Sequence, residues 1–68
     1  MELKINNKPK QFEAATLSVQ ALLDIELPNK QNGIAFAINN SVIPKTDWAT
    51  TVLSETDDIV IITATQGG

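Results

Sequence analysis

Three features of the 68-residue chain predict an α+β fold, a small mixed sheet with one helix packed across one face. Val19, Leu22 and Leu23 recur at i, i+3 and i+4, the stripe of a helix that buries one side. Short segments before and after that stripe alternate with the period of two expected of half-buried strands. The closing run Ile59-Val60-Ile61-Ile62-Thr63 is apolar on both faces and fits a central strand rather than an edge. A chain this short builds a single core, near the lower limit at which a domain folds unaided.

Leu3 and Ile5 alternate with Glu2 and Lys4, which makes the first element a half-buried strand. Asn6-Asn7-Lys8-Pro9 reads as turn chemistry, followed by a second strand around residues 10–14 with Phe12 inward. Ser18 is the expected helix N-cap, its hydroxyl free to accept from an N–H of the first turn. Leu17 and Leu22 stand at the spacing of a hydrophobic staple. The helix must end before Pro28, and residues 29–33 form a polar loop. Ile34, Phe36 and Ile38 then point inward, with Ala35 and Ala37 on the other face. Asn39-Asn40 suits a tight turn because Asn tolerates positive φ. Val42 and Ile43 make a short strand that stops at Pro44, and Trp48 is read as core cover. Residues 1–64 are thus expected to form the folded body, and residues 65–68 a flexible tail.

Composition removes whole classes of function. A net charge of −3, with five dispersed lysines and no arginine, argues against a nucleic-acid partner. No apolar run approaches a membrane span and no signal-peptide pattern opens the chain, so a cytoplasmic protein is expected. Without Cys or His the usual zinc sites, thiol nucleophiles and imidazole bases cannot be built. No metal site is expected; Asp57-Asp58, in a polar Ser-Glu-Thr-Asp-Asp stretch, reads as a solvated turn.

That leaves Gly67-Gly68. Residues without Cβ atoms can thread a narrow channel that any side chain would block. A flexible carboxylate-tipped tail on a compact body suits an enzyme that activates a protein's terminal carboxylate. Gly68 is accordingly the candidate site of chemistry, as a substrate and not a catalyst, and Gly67 the candidate for recognition of the tail. No catalytic residue is expected.

One block carries a family resemblance. Ile38-Asn39, Val42-Ile43-Pro44-Lys45 and Trp48 stand at the spacing seen in the ThiS family, the sulfur carriers of thiamine biosynthesis. Ser18-Val19 with Leu22-Leu23, Asp57-Asp58-Ile59 and the terminal Gly67-Gly68 resemble the family's helix start and closing segment, so the likeness covers essentially the whole chain. Two places depart from the pattern: no Gly precedes the helix between Phe12 and Ser18, and Gln66 is larger than the usual residue before the diglycine.

The resemblance implies a ubiquitin-like β-grasp fold and a carrier role. A partner of the ubiquitin-activating (ThiF) type would use ATP and Mg²⁺ to adenylate the Gly68 carboxylate, and sulfur from a donor such as a cysteine desulfurase would convert it to a thiocarboxylate. Thiazole synthase (ThiG type) would then receive the sulfur. The chain itself would bind no cofactor and would be a monomer on its own. Three alternatives stay open at this point: a carrier for molybdopterin synthesis, a ubiquitin-like protein modifier, and an interaction domain whose tail is incidental.

Overall fold

The computed structural model describes residues 1–29 and 33–63. Five strands and one α-helix follow in the order β1 (Glu2–Ile5), β2 (Lys8–Gln11), α1 (Val19–Glu26), β3 (Ile34–Ile38), β4 (Ser41–Val42) and β5 (Asp58–Thr63), with a 3₁₀ turn at Lys45–Asp47. The sheet order is β2-β1-β5-β3-β4, so the last strand is the central one. β5 runs parallel to β1 and antiparallel to β3, which makes the sheet mixed as expected.

Both hairpins turn on Asn-Asn pairs. Asn6 and Asn7 have φ of 51° and 67°, Asn39 and Asn40 of 50° and 70°. Two consecutive residues of positive φ match the right-handed twist of the flanking strands, and Asn reaches that region at small cost. The first turn is tighter than the sequence suggests: Asn6 and Asn7 make it alone, and Lys8 and Pro9 already pair with Ile5 and Lys4. β2 therefore spans Lys8–Gln11 rather than starting at Lys10, and Phe12 lies just past it, buried. Pro9 is tolerated because β2 is an edge strand.

Helix α1 begins where its sequence requires. Ser18 Oγ accepts the Ala21 N–H at 3.1 Å. The Val19 and Gln20 N–H groups, also without helical partners, donate to the carbonyls of Thr51 and Trp48, each at 2.9 Å. The segment after the 3₁₀ turn thus caps the helix from outside, and a bridge between Ser18 and Val52 fixes it there. Leu27 closes the other end before Pro28, its N–H bonded to the Leu23 carbonyl.

Val19, Leu22 and Leu23 from the helix are fully buried with Leu3, Phe36 and Ile59 from the sheet. Trp48 covers this core at 2% exposure, and its indole N–H donates to the Ile43 carbonyl at 2.9 Å. An aromatic this large can be buried only because its one polar atom finds a partner. Among the described residues no helix is long and apolar enough to cross a membrane.

Candidate functional site

Gly67, Gly68 and the rest of residues 64–68 lie outside the described residues. What is described is the strand that leads to them and the surface beside it. Pairing register separates the two faces of β5, which its composition alone does not. Ile59 and Ile61 pair with Ile38 and Phe36 and face the core with them; Val60 and Ile62 pair with Ala37 and Ala35 and face away. Val42 on β4 pairs with Ala37 and joins the outward set.

The outer face of the sheet therefore carries Ala35, Ala37, Val42, Val60 and Ile62 as one apolar patch running from the central β5 across β3 to the edge strand β4. Ile62 is 59% and Val42 71% exposed; Val52 and Ile25 are exposed elsewhere too, so it is the grouping on one face that marks this surface. The two alanines between them leave a low floor. On the β1 side the face turns polar, with Lys4 directly opposite Asp58 and Glu2 opposite Gln11. A partner could rest on the apolar centre and be oriented by the charged flank.

The root of the tail is anchored from both sides. Along β3 the pairing runs to Ile34 opposite Thr63. On the β1 side the Asn6 N–H donates to the Ile59 carbonyl at 2.9 Å, and the Asn6 side-chain amide bonds both the N–H and the carbonyl of Ile61. The sequence marks Asn6 only as a turn residue; nothing local in it signals a contact 55 positions away.

Asp57 and Asp58 have structural work. The Asp57 carboxylate accepts from the Ser54 N–H at 2.8 Å and the Asn39 amide at 3.2 Å, closing the turn that leads into β5. The Asp58 N–H donates to Asn39 Oδ1 at 2.8 Å, and its carbonyl accepts from the Asn39 N–H at 2.9 Å. Among the described residues no group of three or more His, Cys, Asp or Glu side chains is placed to hold a metal ion. The hollow of about 510 Å³ beside Ile5, Lys8, Pro9 and Glu26 is crossed at its rim by the Lys10–Glu26 ion pair of 2.7 Å. Its charged groups Lys10 and Glu26 are spent on this surface ion pair.

The chain is 32% identical over its full 68 residues, and over the full length of the relative, to the sulfur carrier protein ThiS of Escherichia coli. The crystal structure of a thiamine biosynthesis protein (ThiS) from Geobacter metallireducens superposes with a TM-score of 0.84, at 23% identity and with both chains covered completely. A solution structure of a thiamine biosynthesis protein from the same organism gives 0.81 at 23% identity, covering this chain fully and 88% of that one. These superpositions establish the ubiquitin-like β-grasp fold expected from the sequence. The ThiS family model matches residues 3–68, which include the strand, its outer face and the two glycines beyond it, and the chain belongs to the ThiS family.

Proposed function

We propose that this protein is a sulfur carrier of thiamine biosynthesis and that the carboxylate of Gly68 holds the sulfur. The observation that carries this reading is the family match through Gly67-Gly68, in a chain whose composition leaves no other group for sulfur. Without Cys, no side-chain persulfide or disulfide can form.

The chemistry follows from the carboxylate itself. Attack on it would build more negative charge on an anion, so it must first be activated. An adenylating partner of the ThiF type uses ATP and Mg²⁺: a Gly68 carboxylate oxygen attacks the α-phosphorus, pyrophosphate leaves, and a mixed acyl-phosphate anhydride remains. Hydrosulfide then adds to the acyl carbon and expels AMP, leaving a C-terminal thiocarboxylate and one proton. If the sulfur arrives as a persulfide, a thiol supplies the two electrons that release it. Thiazole synthase of the ThiG type consumes the thiocarboxylate. The catalytic groups and the ATP site belong to these partners.

The body's contribution is docking and delivery. We place the partner surface on the outer face of the sheet, with Val60 and Ile62 at its centre. This patch is apolar and open, and it lies on the strand that continues into the tail. Gly67 serves the tail by fitting a narrow channel, where a Cβ would collide.

The test is an intact-mass measurement after incubation with the activating enzyme, ATP, Mg²⁺ and a sulfur donor. One oxygen-to-sulfur exchange, localised to Gly68, is expected. A chain extended by one residue after Gly68 should not react, and Gly67→Ala should react more slowly. Sulfur elsewhere, or unimpaired reaction of the extended chain, overturns the mechanism. A ladder of conjugates in extract with ATP would indicate a protein modifier instead. Failure to restore thiamine-independent growth to a carrier-deletion strain would favour the molybdopterin route.

A further inference from the structure

Strand β1 ends before β5 does. Its strand pairing with β5 stops at Ile5 opposite Ile59, while on the other side β3 continues to Thr63. At Asn6, with φ of 51°, the main chain turns away. Beyond that point the Asn6 side chain takes over: its Oδ1 accepts the Ile61 N–H at 2.9 Å and its Nδ2 donates to the Ile61 carbonyl at 3.2 Å. A primary amide offers the donor and acceptor of a peptide group, so it stands in for the next peptide unit of a strand that is no longer there. The turn has no need of this amide. Asn7, with φ of 67°, occupies the same region of backbone space, and glycine would serve at either position.

We infer that Asn6 is a positioning residue for the tail: its amide holds the outgoing end of β5 on the β1 side and fixes where residues 64–68 leave the body. This role rests on the carrier reading above, since the exit point matters only if Gly68 must reach a reaction centre while the body is docked. Asn6 is exposed and its bonds compete with water, so losing them should do little to global stability and much to the strand end. Gly68 follows Thr63 by only five residues, and a reacting atom has to be placed within roughly 3–3.5 Å of its partner, so the position of the strand end matters.

Asn6→Gly tests this, because it deletes the amide while keeping positive φ. Two controls accompany it. Asn7→Gly makes the same backbone change without the amide contact. Asn39→Gly removes the comparable Oδ1 contact to Asp58, at the opposite end of β5. In the full chain, hydrogen exchange at the Ile61 amide should accelerate about three- to tenfold in Asn6→Gly alone. With the activating enzyme, kcat for Gly68 modification should fall by a similar factor while KM for the carrier stays unchanged, because the docking face is intact. Both controls should keep the parental kcat. Equal kcat for Asn6→Gly and the parent, an equal loss in Asn39→Gly, or a loss confined to KM overturns the positioning role alone. If the parent chain takes no sulfur at Gly68, the carrier reading itself fails and the positioning role with it.

Discussion

Replacing Ser18 by alanine removes one atom from a helix start whose other donors are held from elsewhere, so its cost can be worked out closely. Four bonds define the start. Val19 and Gln20 donate to the Thr51 and Trp48 carbonyls, Leu22 donates to the Ser18 carbonyl at 3.0 Å, and Ala21 donates to Ser18 Oγ at 3.1 Å. The first three end on main-chain oxygens and survive the substitution. So does the bridge to Val52, where the Leu53 N–H meets the Leu17 carbonyl at 2.8 Å. Only the Ala21 N–H is orphaned. Ser18 is half-buried, so water reaches that donor in part. The expected loss is about 1 kcal/mol, in the middle of the range for N-cap deletions. For a domain of this size that lowers Tm by roughly 4–8 °C. Fluorescence of Trp48, the sole tryptophan and nearly fully buried, reports the transition directly, with far-ultraviolet circular dichroism as the second probe. Ser18→Asp should keep most of the stability and Ser18→Gly should lose a few tenths of a kcal/mol. A neutral Ser18→Ala would refute the capping role. A loss above about 3 kcal/mol would show that the segment around Thr51 depends on the hydroxyl too.

Deleting Gly67 and Gly68 should leave stability within about 0.5 kcal/mol, since the core and its partly buried fringe extend no further than Ile61 among the described residues, while sulfur transfer disappears. A large drop in Tm would mean the tail is packed. Trp48→Phe should cost about 2–4 kcal/mol by opening space in the core and leaving the Ile43 carbonyl without its donor, measured by circular dichroism; a cost below about 1 kcal/mol would demote the indole to surface cover. Ile62→Asp should fold normally, with stability changed by no more than about 0.5 kcal/mol, yet bind the activating enzyme at least about tenfold more weakly. Unchanged affinity would move the docking surface off this face. Neutralising Glu26 by Glu26→Gln should cost less than about 1 kcal/mol, and less still in high salt, because Lys10 at the other end of the pair is largely solvent-exposed.

Most of the fold was legible because its signals are local. Asn39-Asn40 declares a turn of positive φ, Ser18 declares the helix start, Pro28 its end, and the doubly apolar run 59–62 its central place. The register of β2 was not legible: Lys-Pro-Lys-Gln is exposed throughout, so no alternation marks where pairing begins. Nor does sequence show that Thr51 and Trp48 cap the helix, or that Asn6 grips Ile61, since these bonds join segments distant in the chain. The proposed docking face sat between these cases. Apolar residues on both sides of β5 hid which ones point outward until the pairing with Ala35 and Ala37 separated Val60 and Ile62 from the core set. Gly67 and Gly68 stand out from the sequence alone; they lie outside the described residues, and the chemistry proposed at Gly68 rests on the family match.

The central place of β5 also has a consequence for how the protein is made. Until residues 58–63 leave the ribosome, the chain can form only two hairpins, β1-β2 and β3-β4, whose inner edges have no strand between them. Isolated two-stranded hairpins are marginal in water, and unpaired edges invite aggregation or proteolysis. Inserting β5 joins the two halves in one cooperative step, parallel to one and antiparallel to the other. An abortive product lacking its last strand therefore offers the cell's proteases an open target. Chains that survive have completed β5, so the outer apolar patch with Val60 and Ile62 and the closed core are acquired together.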